Sequence, residues 1–253
     1  MLNNVYVMDC EKGIELLPCE IDLAITSPPY NLGIDYDEYN DDLDMDVYTE
    51  KMLSIFTKLY KKTKSGGRVC VNVPPDIGRL KNNSKTSLDY LFHKILSDSG
   101  FLYRSKIVWH KKTITSRTAW GSFNSPSNPN ILPSFEYILV FYKETPKKEG
   151  SKENVDLEKE NFIKWTDGLW EISAESKKRI GHPAPYPVEL CSRLIQMFSF
   201  KNDLVVDPFC GSGTTCVSAK LLDRKYVGFD LSENYISISK KRLDSVELQE
   251  MII

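Results

Sequence analysis

The chain has 253 residues, with 33 Lys and Arg against 35 Asp and Glu and a formal net charge of −2. That length admits one large α/β domain or two small ones, and the near-neutral charge argues against indiscriminate binding to nucleic acid. No apolar run approaches the roughly 20 residues that cross a bilayer, Met1-Leu2-Asn3-Asn4 lacks a leader signature, and six cysteines and three scattered histidines give no C-x-x-C pair or zinc spacing, so a cytoplasmic protein with reduced thiols and no metal is expected.

In chain order, Val5 to Met8 reads as a strand and Glu11 to Leu17 as a short helix. Ile21 to Thr26 is a second strand. Pro28-Pro29 ends it, because proline lacks an N–H and fixes φ. A dense acidic stretch, Asp35 to Asp46, follows. Asp44 is placed to cap a helix from Met45 to about Lys64, whose Val47, Tyr48, Met52, Ile55, Phe56 and Leu59 recur at helical spacing. Gly66-Gly67 is expected to stop that helix. Arg68 to Val73 is the next strand, closed by Pro74-Pro75, and Leu88 to Leu96 is again helical, ending near Gly100.

Phe101 to His110 and Phe135 to Tyr142 follow with no helix between them. Their alternation and aromatic content suggest an antiparallel pair. The loop joining them, Lys111 to Ser134, is rich in Ser, Asn, Pro and Gly, and a loop of that length is usually functional or mobile. Lys143 to Glu160 is charged and poor in apolar residues, so it reads as a surface excursion, partly flexible. The α/β rhythm then resumes: helix Pro187 to Phe200, strand Asp203 to Val206, a glycine turn opening a helix from Gly213 to Leu222, strand Lys225 to Phe229, and a helix capped by Ser232. Strands alternating with helices imply an α/β, mostly parallel sheet covered on both faces. Such sheets bind ligands at the carboxyl ends of their strands.

Basic residues cluster at Lys58-Lys61-Lys62-Lys64-Arg68, at Lys106-His110-Lys111-Lys112-Arg117, at Lys143-Lys147-Lys148 and at Lys177-Lys178-Arg179. Each reads as a solvated face, or all together as one positive groove that only a fold can assemble.

Two loops carry chemistry. In the stretch Val205 to Asp230, the acidic Asp207 ends a strand, glycines and a helix follow, and a second acidic residue, Asp230, closes the next strand. Gly211 and Gly213 permit tight turns and let a ligand lie against the main chain. Asp230 sits where a carboxylate can accept ribose hydroxyls. NAD fits poorly: Cys216 stands where its fingerprint wants a third glycine, and Asp207 would repel a pyrophosphate. S-adenosylmethionine, with a sulfonium and an ammonium, suits the charge pattern; a glycine turn serving only packing is the plainer alternative. The other loop is Thr26-Ser27-Pro28-Pro29-Tyr30. The Ser27 oxygen and the Pro28 carbonyl can accept two hydrogen bonds from a planar amino group while Tyr30 stacks on its ring; the alternative is a strand-ending turn with a packed tyrosine.

"DPFCGSGTT" together with "TSPPYN" resembles the amino-group DNA methyltransferases, and the order of the two boxes is that of the circularly permuted beta group. "VYVMDC", "IVWHKK", "FEYILVFYK" and "GHPAPYPVEL" also resemble family segments, and the likeness spans nearly all of the chain except about Glu144 to Asp167. The resemblance implies one catalytic domain over residues 1–253 with a Rossmann-like, doubly wound, mostly parallel seven-stranded sheet, one antiparallel hairpin and a small inserted target-recognition region, drawn from loops 111–134 and 143–180. It implies S-adenosyl-L-methionine as cofactor, held by Asp9, Cys10, Thr26, Asp207, Pro208, Phe209, Gly211, Gly213, Thr214, Asp230 and Leu231. Ser27, Pro28, Pro29 and Tyr30 become the catalytic loop.

In this family the target base is turned out of the duplex, and methyl transfer to its amino nitrogen is direct. Members acting on the amino group of cytosine usually carry Ser before Pro-Pro-Tyr, whereas those acting on adenine usually carry Asp or Asn. Ser27 therefore favours N4 of cytosine in duplex DNA, with N6 of adenine as the alternative and a non-catalytic nucleic-acid-binding protein as a remote one. Ring-carbon methylation needs a nucleophilic cysteine; Pro18-Cys19 precedes its strand rather than following it, and Cys19 reads as structural. Lys111, Lys112, Arg117 and Trp120 are candidate DNA contacts, with Phe123 beside Trp120 as a wedge for the gap left by the flipped base. The same aromatics can instead pack the loop. The acidic stretch reads as a lid over the cofactor or as a solvated helix lead-in. A cognate restriction endonuclease and a second copy of the chain are further candidate partners.

Overall fold

A computed structural model describes residues 1–31, 33, 35–36, 39–78, 85–112, 121–175 and 186–250. The chain begins with β1 (Asn4–Val7), α1 (Cys10–Glu15) and β2 (Ile21–Thr26). A two-residue ribbon, β3 (Asp35–Tyr36) and β4 (Tyr39–Asn40), leads into α2 (Met45–Lys62) and β5 (Thr63–Val73). A second ribbon, β6 (Asp76–Gly78) and β7 (Lys85–Ser87), precedes α3 (Leu88–Asp98). Then come β8 (Leu102–His110), β9 (Phe135–Tyr142), α4 (Lys159–Trp165) and β10 (Leu169–Glu171). The chain closes with α5 (Val188–Phe198), β11 (Leu204–Asp207), α6 (Thr214–Leu221), β12 (Lys225–Asp230) and α7 (Glu233–Glu250).

The principal sheet has eight strands in the order β1-β12-β11-β2-β5-β9-β8-β10. Only β9 runs against the rest: it is antiparallel to both β5 and β8, and every other pairing is parallel. The expected antiparallel hairpin is thus β8–β9, and the expected seven strands become eight. The added strand, β10, has three residues, too few for an alternation to register in sequence, and it pairs with the last three of β8.

The sheet is covered on both faces, which is why β2 is buried at all six positions. Ala24, Val69, Val71, Phe141, Val206 and Phe229 point into one core with the apolar faces of α1, α2 and α3. Leu23, Ile25, Cys70, Val140 and Val205 point into the other with residues of α5, α6 and α7. α2 forms as the pattern predicts: the Asp44 side chain accepts from the Asp46 N–H at 2.9 Å, and Tyr48, Met52, Ile55, Phe56 and Leu59 are buried. Its end differs from expectation. Gly66-Gly67 does not stop a helix; β5 starts at Thr63 and absorbs both glycines into a bulge, where the register with β2 jumps from Ile21–Thr63 to Leu23–Arg68. Gly66 has φ +75°, and a Cβ on Gly67 would stand 2.6 Å from the Thr63 methyl, so the bulge needs both glycines.

Lys143 to Glu160 is also tighter than its composition suggests. Lys148 reaches Asp22 at 2.7 Å and Asp203 at 3.2 Å, and Asp156 pairs with the buried Arg224. Trp165 and Trp170, just beyond, are buried in the second core. The anchors of this segment are charges matched to charges on distant elements, which leave no apolar period to read. Asp22 and Asp203 stand where β2 and β11 begin, so residues 143–157 cover the amino end of the parallel strands. Lys58, Lys64 and Arg68 lie at that end too, and the basic clusters of the sequence do not gather in one groove among the described residues. No helix there is long and apolar enough to cross a membrane.

Candidate functional site

At the opposite rim, the carboxyl ends of β1, β12, β11, β2 and β5 lie side by side. They carry, in spatial order, Asp9, Asp230, Asp207, Thr26 with Ser27, and Asn72. The two chemistry-bearing loops, far apart in sequence, meet here: Thr26 Oγ1 donates to Asp207 Oδ1 at 2.8 Å, across 181 residues of chain.

Asp207 is fully buried, and four donors converge on it. Oδ1 takes the Thr26 hydroxyl and the Phe209 N–H; Oδ2 takes the hydroxyls of Tyr186 and Thr215 at 2.8 and 2.7 Å. Burial pushes its carboxyl above the ordinary carboxylate range, and the hydroxyls of Thr215, Thr26 and Tyr186 only partly offset this. Asp207 thus sets the turn that follows and places a negative charge beneath it. Pro208 is buried and Phe209 half-buried. Gly211 (φ +48°) and Gly213 (φ +78°) bend the chain into α6, where Thr214 is the first, buried residue. α7 straps this turn: Ser239 Oγ donates to the Gly211 carbonyl at 2.7 Å, and Arg242 donates to the Ser212 carbonyl and to Thr214 Oγ1.

Asp230, on the neighbouring strand end, accepts the Gly211 N–H at 2.9 Å and the Ser232 N–H at 2.9 Å. Leu231 beside it is 37% exposed on the rim. Asp9 caps α1 by accepting the Glu11 N–H, and Cys10 is buried, its thiol pushed up by burial and then by Asp9 and Glu11. A ligand rich in hydroxyl donors with cationic groups finds the Asp9 and Asp230 carboxylates at neighbouring strand ends, the buried Asp207 beneath the turn, and glycine main chain at 211 and 213. S-adenosyl-L-methionine, with ribose hydroxyls, an ammonium and a sulfonium, fits that donor set.

In the other loop, Pro28 is buried and Ser27, Pro29 and Tyr30 are half-buried. Tyr48 donates to the Pro29 carbonyl at 2.7 Å, whereas the Pro28 carbonyl accepts no hydrogen bond among the described residues. Ser27 Oγ lies 2.6 Å from Tyr30 Oη, and Tyr30 Oη donates to the Asn72 carbonyl at 3.0 Å. Tyrosine has one proton. If it went to Ser27, the Tyr30 and Asn72 oxygens would face each other at 3.0 Å with none between. The arrangement with both bonds made runs Ser27 to Tyr30 to Asn72. The Ser27 proton therefore points inward, and the oxygen's lone pairs are left to accept.

Asn31 (φ +60°) ties the acidic stretch to this loop. Its N–H donates to Asp41 Oδ1 at 2.7 Å, and its side chain exchanges bonds with the Leu43 main chain at 2.6 and 2.9 Å. Asp41 is consequently buried, not solvated. The side chains of residues 35–40, the first half of the stretch read as a lid, lie outside the described residues. So do Arg117 and Trp120. Lys111 pairs with Glu136, and its Nζ stands 5.2 Å from the Trp109 ring centroid. Lys112 is 3.7 Å from Glu171. Phe123 is 73% exposed.

Sequence reasoning missed Asn72, Glu136, Tyr186 and Asn31. Asn72 left a trace, as a lone amide in the apolar run "VCVNV"; the others gained their place only through tertiary pairing. Cysteine chemistry is not built into this rim. Cys19 is exposed and precedes β2, a strand of roughly 20 Å at 3.3 Å per residue, from whose far end Ser27 emerges. The other five thiols are buried; burial lifts Cys70 to about 12. Among the described residues no group of three His, Cys, Asp or Glu can hold a metal ion.

Comparison with known proteins agrees with this geometry. The DNA methylase family model for N6 and N4 methyltransferases matches residues 21–241. The Type II methyltransferase M.MjaVI of Methanocaldococcus jannaschii is 43% identical over 166 residues, covering 65% of this chain and 83% of its own. The orphan methyltransferase M.BamHII of Bacillus amyloliquefaciens is 30% identical and covers 89% of each chain. Among solved structures, the TTHA0409 protein of Thermus thermophilus in complex with S-adenosyl-L-methionine superposes with a TM-score of 0.77 at 25% identity, over 96% of this chain and 93% of its own. The chain belongs to the N6/N4 DNA methylase family and is a DNA methyltransferase whose cofactor is S-adenosyl-L-methionine.

Proposed function

We propose that the chain is a site-specific DNA methyltransferase acting on N4 of cytosine in duplex DNA, with the target base turned out of the helix. The observation that carries the reading is the direction of the Ser27 hydroxyl. Its proton is committed to Tyr30, so Ser27 Oγ and the Pro28 carbonyl are two adjacent acceptors. An exocyclic amino group offers two hydrogens. Holding both favours a pyramidal nitrogen and localises a lone pair otherwise delocalised into the ring. S-adenosyl-L-methionine supplies an electrophilic methyl group on a sulfonium. The amino nitrogen would bond that methyl as the methyl–sulfur bond breaks, the bonding pair staying on sulfur as a neutral thioether, and would release one of its own protons to solvent, so no enzyme nucleophile is consumed. Orientation in a water-poor site supplies the rate. Turning out the base costs a few kcal/mol, and stacking on the Tyr30 ring returns roughly 1–3 kcal/mol.

In this reading Asp9, Asp230 and the 207–214 turn hold the cofactor, and Lys112 with loop 111–134 approaches the DNA. Ser27 in place of Asp or Asn supports cytosine over adenine. A cognate endonuclease and a second copy of the chain remain expectations of the same reading. The deciding measurement is transfer of labelled methyl to duplex DNA followed by nucleoside mass spectrometry. N4-methylcytosine is expected. N6-methyladenine would overturn the choice of base, and absence of label in either amino group would overturn the reaction. Ser27→Ala should slow turnover about 10- to 100-fold, the value of one buried hydrogen bond of roughly 1–3 kcal/mol, with cofactor affinity kept.

A further inference from the structure

We propose that Asn72 and Glu136, with Lys111 behind them, form a positioning relay that holds the Tyr30 hydroxyl and so fixes the direction of the Ser27 proton. The inference rests on the reading of Ser27 as an acceptor for the target amino group. It concerns residues on β5 and β9 and the residue just after β8, outside both sequence boxes.

Asn72 is the last residue but one of β5, followed by the fully buried Val73, and is 7% exposed. Its Nδ2 donates to Glu136 Oε2 at 2.6 Å and to Tyr30 Oη at 3.2 Å. Ionised Glu136 is an acceptor only, so it turns the nitrogen of the amide, not the oxygen, toward itself and Tyr30. The other end of the amide shows what this orientation costs: Asn72 Oδ1 is buried and has no hydrogen-bond partner. Buried acceptors are rarely left unpaired. An amide held this way against that penalty is held by the charge-assisted bond to Glu136.

Tyr30 Oη then accepts from Asn72 Nδ2 and from Ser27, and its own proton goes to the Asn72 carbonyl. Each bond in the line Glu136, Asn72, Tyr30, Ser27 has one direction. Without Glu136 the amide can turn, bringing Oδ1 onto Tyr30 Oη, where it competes with the Asn72 carbonyl for the tyrosine proton. The line loses its single arrangement, and Ser27 is less firmly presented.

Lys111 connects the relay to the two ends of loop 111–134. Its ammonium pairs with Glu136 Oε1, and its N–H donates to the Ser134 carbonyl at 3.0 Å, closing the neck of loop 111–134. Movement at that neck is therefore felt at Glu136, two residues beyond Ser134. Asn72, Glu136 and Lys111 act through Tyr30 and Ser27 and are positioning residues.

A double-mutant cycle in full-length protein tests this, using single-turnover methyl transfer to duplex DNA. Glu136→Ala and Tyr30→Phe are each expected to slow transfer about tenfold or more. The double variant should be no more than about threefold slower than the slower single, because both act on one line. Cofactor affinity should stay within about twofold. Glu136→Gln keeps an oxygen for Asn72 and should recover most of the rate. Should Glu136→Ala fail to fold, Asn72→Ser replaces it in the cycle. Effects that multiply would overturn the relay, as would an Ala variant as fast as wild type or a Gln variant as slow as Ala. A wild-type protein that methylates no exocyclic amino group would sink the parent reading and the relay with it. Multiplying effects in an active wild type sink the relay alone.

Discussion

Asp230 and Ser27 carry opposite lessons about single residues. Asp230 was placed by its position after a strand, and it does stand at a strand end, but its oxygens also organise main chain: one takes the Gly211 N–H and the other that of Ser232. Asp230→Ala should therefore act twice, removing a carboxylate from the rim and orphaning two N–H groups of the glycine turn. Calorimetric titration with S-adenosyl-L-methionine should show affinity falling about tenfold or more, equivalent to about 1.4 kcal/mol, with Asp230→Asn intermediate because it keeps one acceptor oxygen. Ser27 was visible as a candidate acceptor, yet the direction of its proton was not. What turns that proton inward is the Tyr30 hydroxyl and the Asn72 carbonyl, 42 residues beyond that tyrosine. Asp207 shows the same limit. Sequence placed a carboxylate beside a cationic ligand; the fold buries it under four donors, so its influence reaches the rim as charge and as the shape of the turn.

The elements most readable in advance were those whose signal is local. α2 follows from an N-cap and a 3.6-residue apolar stripe, and β2 from the largely apolar run Ile21 to Thr26 ended by Pro28-Pro29. β10 and α4 were missed because three or seven residues hold too little periodicity, and their stability comes from Trp165 and Trp170 packing on α5. The bulge at Gly66-Gly67 was misread because glycines after a helix signal termination and a strand distortion equally well. The turn into α6 gives the sharper test of glycine as a structural requirement. Gly213 has φ +78°, and a Cβ there would lie 2.8 Å from the Ser239 Cβ. Gly213→Ala should cost about 1–3 kcal/mol through backbone strain and overpacking together. Thermal unfolding should show the loss, and cofactor affinity should fall with it, because Ser239 also holds the Gly211 carbonyl.

At the scale of the whole molecule, the parallel sheet separates two kinds of charge. The carboxyl rim gathers the candidate site residues, while the amino rim holds a charge cluster in which Lys148 bridges Asp22 and Asp203, and Lys64 also reaches Asp22. Burial pushes the Asp22 carboxyl up, but Lys148, the Leu204 N–H and Lys64 outweigh it and hold it below the ordinary range. Asp203 goes the other way, raised by burial and by Asp22 itself. Lys148→Ala would leave two largely buried carboxylates facing each other with only Lys64 nearby. Breaking such a bridge should destabilise the fold by about 3 kcal/mol at neutral pH. The pH dependence follows from the direction of the change. Without Lys148, Asp203 rises further above its unfolded value, and a carboxyl raised in the folded state contributes stability below its unfolded pKa and loses it as pH climbs through the folded one. The deficit of the variant should therefore be largest near pH 7 and shrink toward about pH 4, as denaturant titrations at the two pH values would read. Methyl transfer and DNA affinity, measured well below the melting temperature, should be unchanged, since residues 143–157 lie at the other end of the strands. If Lys148→Ala lost DNA binding while still folded, the amino rim would have to be part of the DNA surface after all, and the target-recognition role expected of 143–180 would extend beyond the residues near the carboxyl rim.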